Sequence, residues 1–292
     1  MTTPRLTIGL PVYNGENFLA ESIDALLAQT YTDFELVISD NASTDSTEEI
    51  CRSYAAGDRR IRYVKQAKNI GAAPNHNFLV DAARGELFKW AAHDDLFAPK
   101  LVQSCVELLD ENRDAALAHT YMAIVDETGE VIETYDYTLK TDSPSAPVRF
   151  RDLLFTDGGD DFYGVIRTDV MRAMAPHDSY HNAGRKFVAE MSLYGRFLQV
   201  PEVMFFRREH PGRGDRLGSV KAVCRNLDPR RANHSTARLM REYLTSYFTA
   251  VARAPLSAAD RRRCYALLTK WLSDRTVLKP VHKIESTLRR AS

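Results

Sequence analysis

Short apolar β-forming runs alternate with amphipathic helical segments through the first 112 residues of this 292-residue chain, and the links between them are short. Residues 6–13 read as a buried strand. Residues 16–29 carry Phe18, Leu19, Ile23, Leu26 and Leu27 at helical spacing. Residues 34–39 form a second strand, and Ser46-Thr47-Glu48-Glu49 has the pattern of a capping box opening a helix to about residue 56. Residues 61–65 are a third strand. Pro74 suits the first turn of a helix reaching residue 84, with Gly85 placed to end it. Residues 87–91 are a fourth strand, and Pro99 opens a helix to about residue 112. This order predicts a mostly parallel sheet with helices on both faces. Ligands of such sheets bind at the carboxyl ends of the strands.

From about residue 115 the rhythm breaks. Residues 115–125 and 130–135 flank Glu127-Thr128-Gly129 and read as a hairpin. A short helix is expected at 150–155, strands at 162–166 and 203–207, and a helix at about 186–197 between them. Beyond about 217 the pattern is helical, with Ser257-x-x-Asp260 as another capping signal. The chain therefore divides into a main domain, 1–216, with halves at 1–112 and 113–216, and a C-terminal helical region, 217–292.

A net charge of zero conceals an asymmetry. Residues 207–292 hold 20 Lys and Arg against 7 Asp and Glu, while residues 1–206 hold 19 against 32. A basic tail on an acidic body fits an anionic partner such as a diphosphate, a lipid phosphate or a membrane surface; it equally fits a helical face folded back on that body. No apolar run approaches the ~18 residues that span a bilayer. The opening MTTPRLTIGLPVYN lacks a signal-peptide pattern. These features predict a cytoplasmic chain, with room for peripheral contact at the inner face of a membrane. The cysteines, Cys51, Cys105, Cys224 and Cys264, are scattered without a CxxC pair, so they read as reduced, buried thiols.

Three polar clusters follow predicted strands: Pro11-Val12-Tyr13-Asn14-Gly15-Glu16, Asp40-Asn41-Ala42-Ser43-Thr44-Asp45, and His93-Asp94-Asp95. In a parallel sheet all three meet at one edge. The first turn offers one glycine, Gly15, where a dinucleotide fold needs GxGxxG, and no P-loop is present. Something other than a glycine-rich loop must neutralise phosphate, and paired carboxylates point to a bridging divalent metal.

The segment LTIGLPVYNGENFLAESIDALLAQTYTDFELVISDNASTDST resembles the opening of the family 2 glycosyltransferases, and NIGAAPNHNFLVDAARGELFKWAAHDDLFAPKLV resembles their continuation. The likeness covers roughly residues 5–210. It implies a Rossmann-like GT-A α/β fold, a mostly parallel sheet with helices on both faces and here a C-terminal helical extension. It also implies a metal-dependent, inverting transfer of sugar from a nucleoside diphosphate donor, UDP-linked above others, to a hydroxyl of a glycan, a lipid-linked sugar or a small metabolite. By that likeness Pro11, Tyr13, Asn14 and Glu16 belong to the nucleotide-sugar pocket, and Asp40 accepts hydrogen bonds from the base. Asn69 and His76 stand in the loop and helix approaching the nucleotide. Asp94 faces the donor ribose or sugar. Asp95 binds Mg²⁺ or Mn²⁺, with His210 as a further ligand, and Arg208 neutralises phosphate.

The family's catalytic base is commonly an Asp eleven residues before a late glycine. Counting back from Gly195 lands on Gly184. A relocated base is the preferred account, with Asp161 and Glu190 as the candidates and Asp160, Asp178 and His181 behind them. Two rivals are a nucleotide-sugar-binding protein without transfer and a sugar nucleotidyltransferase, the latter disfavoured because its glycine-rich first turn is missing. A homodimer fits the helical tail, and no nucleic-acid partner is expected.

Overall fold

The computed structural model describes residues 3–135, 139–156, 163–180, 182–213 and 219–274. In chain order the elements are β1 (Leu6–Val12), α1 (Leu19–Leu27), β2 (Phe34–Asp40), α2 (Thr47–Gly57), β3 (Ile61–Lys65), α3 (Ala72–Ala82), β4 (Leu87–Trp90), β5 (Leu96–Phe97), α4 (Leu101–Glu111), β6 (Ala115–Val125) and β7 (Val131–Tyr135). There follow α5 (Ala146–Phe155), β8 (Val165–Arg167), α6 (Thr168–Ala173), α7 (Ala183–Met191), β9 (Arg196–Arg208), α8 (Val220–Leu227), a 3-10 turn at Pro229–Arg231, α9 (Thr236–Arg253) and α10 (Ala258–Ser273).

The strands form one sheet in the order β3-β2-β1-β4-β8-β6-β9-β5, with β7 paired to β6. The first four are parallel, as the sequence predicts. β8 is antiparallel to β4 and β6, and β6 and β9 run parallel again. β1 and β2 are buried along their whole length because helices cover both faces. One core joins β1 to α1 and α4 through Leu6, Ile8, Leu10, Ile23 and Val106. The other gathers α3, α5, α7, α9 and α10 around Phe88, Trp90, Phe187 and Trp271. The helices beyond residue 217 therefore share a core with one face of the sheet.

Several local expectations change. The helix expected over 186–197 ends at Met191, and Phe197 belongs to β9, which runs from Arg196 through the strand expected at 203–207. Gly195 permits the switch: a Cβ there would lie 2.8 Å from Ala116 Cβ and N, so only glycine lets the chain enter beside β6. Ser46 stands at the N-cap of α2, but its side chain makes no capping bond. Asp45 Oδ1 accepts from the Thr47 N–H instead, at 3.1 Å. Gly85 does not cap α3, which stops at Ala82. It is a close-approach glycine, whose added Cβ would sit 2.6 Å from the Thr7 nitrogen. The strand expected at 162–166 is β8, displaced to Val165–Arg167. The scattered thiols are all free and buried.

His119, on β6, is buried, and burial pushes its pKa down to about 4. In the unfolded chain it titrates near 6.5. Its contribution to stability is thus complete above that value and is lost as the pH falls towards 4, because only the unfolded state takes the proton. At pH 5 the loss is about 2 kcal/mol. His119→Gln lacks this term. The stability gap between native chain and variant, read from urea midpoints, is expected to narrow by about 2 kcal/mol between pH 7 and pH 5; a constant gap refutes the assignment.

Candidate active site

The ends of β1 and β2 are laced together. Asn14, in the left-handed region at φ 51°, donates its N–H to Ser43 Oγ at 2.9 Å and accepts the Thr44 N–H on Oδ1 at 2.9 Å. The Gly15 N–H reaches Thr47 Oγ1 at 2.9 Å, and a Cβ on Gly15 would meet the His93 ring at 2.6 Å. Asn41 carries the lacing onward: its Nδ2 donates to Asn69 Oδ1 at 3.0 Å and its Oδ1 accepts from the Ile70 N–H at 2.8 Å. These loops open onto a cavity of about 1130 Å³, lined among others by Pro11, Tyr13, Asn14, Asn69 and His76. Tyr13 is 44% exposed, so its ring is open for a planar ligand to stack.

Asp94, Asp95 and His210 line the same cavity. His210 Nε2 donates to Asp94 Oδ2 at 3.0 Å. Asp95 is buried, and its Oδ1 accepts the Arg208 N–H at 3.0 Å. Burial, then the charge of Asp94, pushes Asp95 up to about 8. Asp94 is held below the ordinary range: burial opposes this, but His93, the His210 hydrogen bond and Arg213 outweigh it. Two crowded carboxylates are oxygen donors of the kind a divalent cation takes, and a cation relieves their repulsion. The residues therefore fit the implied metal chemically. Among the described residues, no group of three or more His, Cys, Asp or Glu stands together as a ready-made metal cage.

The structure places four expected residues elsewhere. Arg208 points away from the cavity and is 1% exposed. Its Nε donates to the Asp94 carbonyl at 3.0 Å, one terminal nitrogen to the Glu127 carbonyl at 2.6 Å and the other to Glu21 Oε2 at 2.6 Å, leaving the guanidinium no route to a phosphate. Asp40 is fully buried: Oδ1 accepts from the Ser43 N–H at 2.8 Å and Oδ2 from the Tyr63 hydroxyl at 2.7 Å, so it braces the loop and presents no oxygen to a base. Glu16 lies outside the lining, where its Oε2 accepts from the Ser46 N–H at 2.9 Å. Glu190 is fully buried, paired with Lys186 Nζ at 2.6 Å and accepting from the Ala175 N–H at 3.1 Å, too far inside to meet an acceptor. Asp161, Asp160 and His181 lie outside the described residues.

Among the described residues, Glu190→Gln would leave Lys186 with Asp178, at 3.0 Å, as its anionic partner. Breaking a buried pair costs about 3 kcal/mol at the lower end of the usual range. A urea midpoint lowered accordingly, with unchanged donor affinity, is expected; a loss of turnover at full stability would restore Glu190 to catalysis.

Gly184 also lines the cavity, at the start of α7, with Tyr180 and Arg185. His76 and His177 stack at 5.8 Å against Trp90, and Asn77 fixes the pair by bonding both the N–H and the carbonyl of His177. Sequence reasoning placed Asn41 in a cluster at the strand ends without giving it a role and missed Glu127, Arg207 and Arg213; all four line the cavity. Glu127 was read only as a turn residue. Arg207 is the strand neighbour of Arg208, and alternation alone separates their roles.

A parallel half-sheet whose carboxyl edge carries an acidic pair facing a large cavity defines an α/β protein that binds its ligand at the strand ends. The sequence matches the family described as Glycosyl transferase family 2 over residues 7–172, more than half the chain, and the chain belongs to that family. An uncharacterized glycosyltransferase of Rickettsia typhi is 36% identical over 124 residues, 42% of this chain and 38% of that protein, so this chain spans well under half of its length. Among solved structures, S. aureus TarS in complex with UDP-GlcNAc superposes with a TM-score of 0.67 at 15% identity, covering 93% of this chain and 73% of that one. The mannosyltransferase PcManGT from Pyrobaculum calidifontis, in complex with GDP-Man and Mn²⁺, superposes with a TM-score of 0.54 at 16% identity, covering 100% and 81%. Both share the fold, and the GT-A architecture is that of this chain.

Proposed function

We propose that this protein transfers a sugar from a nucleoside diphosphate sugar, UDP-linked by preference, to an acceptor hydroxyl with inversion. The observation that carries the reading is the gathering of Tyr13, Asn14, Asn69, Asp94, Asp95 and His210 around one cavity at the carboxyl edge of the parallel strands. The TarS complex with UDP-GlcNAc and the PcManGT complex with GDP-Man and Mn²⁺ support a diphosphate donor and a divalent metal. Asp95 and His210 would hold Mg²⁺ or Mn²⁺, which when bound neutralises charge on the departing diphosphate. Tyr13 and Asn14 hold the nucleoside. Arg207 and Arg213 face the cavity beside the acidic pair and take the phosphate role that Arg208 cannot fill. The acceptor oxygen attacks the anomeric carbon as the bond from that carbon to the phosphate oxygen breaks, and the acceptor proton passes to a carboxylate.

Glu127 is supported as that carboxylate because it lines the cavity, is exposed, and stands outside the Asp94–Asp95 pair. Asp161 remains the other candidate. A transfer assay with UDP- and GDP-sugars, with and without Mn²⁺, tests the function: metal-dependent nucleotide release stimulated by an acceptor is expected. Within it, Glu127→Gln is expected to lower turnover about a hundredfold with donor affinity intact. Should only Asp161→Asn do so, the base is Asp161. Gly184 at the family's base position favours one other reading, a binding protein without transfer, and acceptor-stimulated release excludes it. The acceptor is a glycan, a lipid-linked sugar or a small metabolite. No described helix is long and apolar enough to cross a membrane. The exposed Arg241, Arg253, Arg262 and Arg263 of α9 and α10 support peripheral contact with an anionic surface.

A further inference from the structure

The family match ends at residue 172, yet α8 from the C-terminal region forms part of the cavity wall. Val223, Asn226 and Leu227 line it, at the spacing that places them on one helix face. Cys224, fully buried, fastens the helix into the core beside α3. The end of α8 rests on Gly71, whose φ is 93°. A Cβ there would lie 2.5 Å from the Leu227 carbonyl oxygen and 2.8 Å from the Asp228 Cα, so loop and helix meet backbone to backbone. The same loop is tied to the end of β2, since Asn69 Oδ1 accepts from both Asn41 Nδ2 and the Gly71 N–H. α8 is thus held in fixed relation to the strand ends.

The sheet order decides which part of a ligand α8 can reach. The acidic pair follows β4, and α8 stands over the loop that follows β3, on the far side of β1 and β2. With the diphosphate end of a donor at Asp94 and Asp95, the nucleoside end falls beneath α8. We infer that α8 is the roof of the nucleoside pocket and that Asn226 is a specificity-determining residue reading the hydrogen-bonding edge of the base. Its side-chain amide offers both a donor and an acceptor, which suits a base edge. Val223 and Leu227 give the apolar cover above the ring. The inference rests on the donor reading proposed above and adds the element that selects the base.

The test measures, by calorimetry in Mn²⁺, the affinities of UDP, GDP and pyrophosphate for the full chain and for Asn226→Ala and Asn226→Asp. Asn226 is exposed, so both variants should fold, and a melting curve checks this. Asn226→Ala is expected to weaken the preferred nucleotide about five- to tenfold. It should also narrow the UDP-to-GDP preference while leaving pyrophosphate unchanged. Asn226→Asp, which exchanges a donor for an acceptor, is expected to lower that preference further. Unchanged nucleotide affinity and preference overturn the inference alone. Equal weakening of pyrophosphate overturns it too, since that marks a structural role. If the native chain binds neither nucleotide, the donor reading itself fails and takes the inference with it.

Discussion

Asp95→Asn is expected to lower turnover by two to four orders of magnitude while the chain stays folded. The substitution keeps the shape of the side chain and its acceptor for the Arg208 N–H, so the local backbone has no reason to move. What it removes is charge. Asp95 is the more deeply buried of the acidic pair, at 2% exposure, and the proposed metal depends on its carboxylate. A metal that neutralises a departing diphosphate supplies several kcal/mol in the transition state, which sets the expected size. Asp94→Asn should be milder for metal affinity, because its amide oxygen can still accept from His210 Nε2, which stands 3.0 Å from Asp94 Oδ2. The checks are turnover against Mn²⁺ concentration and a thermal melt. Turnover within threefold of the native value in Asp95→Asn would sink the metal role of this carboxylate.

The first half of the fold was legible because each element there carries its own signal. β1 and β2 are short apolar runs, α1 is amphipathic, and their links leave little freedom. The second half was harder for identifiable reasons. β5 is two residues long, below any periodic signal, and is defined only by pairing with β9. The junction of α7 and β9 reads as continuous helix until the contact between Gly195 and Ala116 is seen. The site shows the same division. The convergence of three loops at one edge followed from the strand order, and Pro11, Tyr13, Asn14, Asn69, His76, Asp94, Asp95 and His210 do meet at one cavity. Asp40 was misjudged because the hydroxyl that occupies it comes from Tyr63, on another strand. No local pattern announces that bond. Asn226 is 132 positions from Asp94 and belongs to a region with no family match, so only the folded chain reveals that it shares their cavity.

Arg208→Ala is expected to destabilise the fold by about 3–5 kcal/mol and to lower transfer only as a consequence. The reason lies in the phase of β9. Successive side chains of a strand leave on opposite faces, so Arg207 enters the cavity and Arg208 turns inward. There its guanidinium binds the carbonyls of Asp94 and Glu127 and lies over the Phe18 ring at 4.6 Å. Truncation leaves two carbonyls without their donors, at roughly 1–3 kcal/mol each, and a void against the ring. The ion pair with Glu21 adds little, because that carboxylate is 59% exposed. Arg208→Lys keeps the charge but loses the planar fork, so it should recover only part of the stability. The two readings of this arginine predict opposite patterns. A clamp gives a lowered urea midpoint in both variants and near-native nucleotide affinity in whatever fraction stays folded. A phosphate ligand gives an unchanged midpoint with affinity for the nucleoside diphosphate reduced tenfold or more, and that outcome would return Arg208 to the donor site. The clamp reading also explains why the acidic pair can be crowded: the Arg208 guanidinium holds the Asp94 carbonyl while the Arg208 backbone N–H holds the Asp95 carboxylate, so the repulsion between the two side chains is not easily relieved by moving the loop.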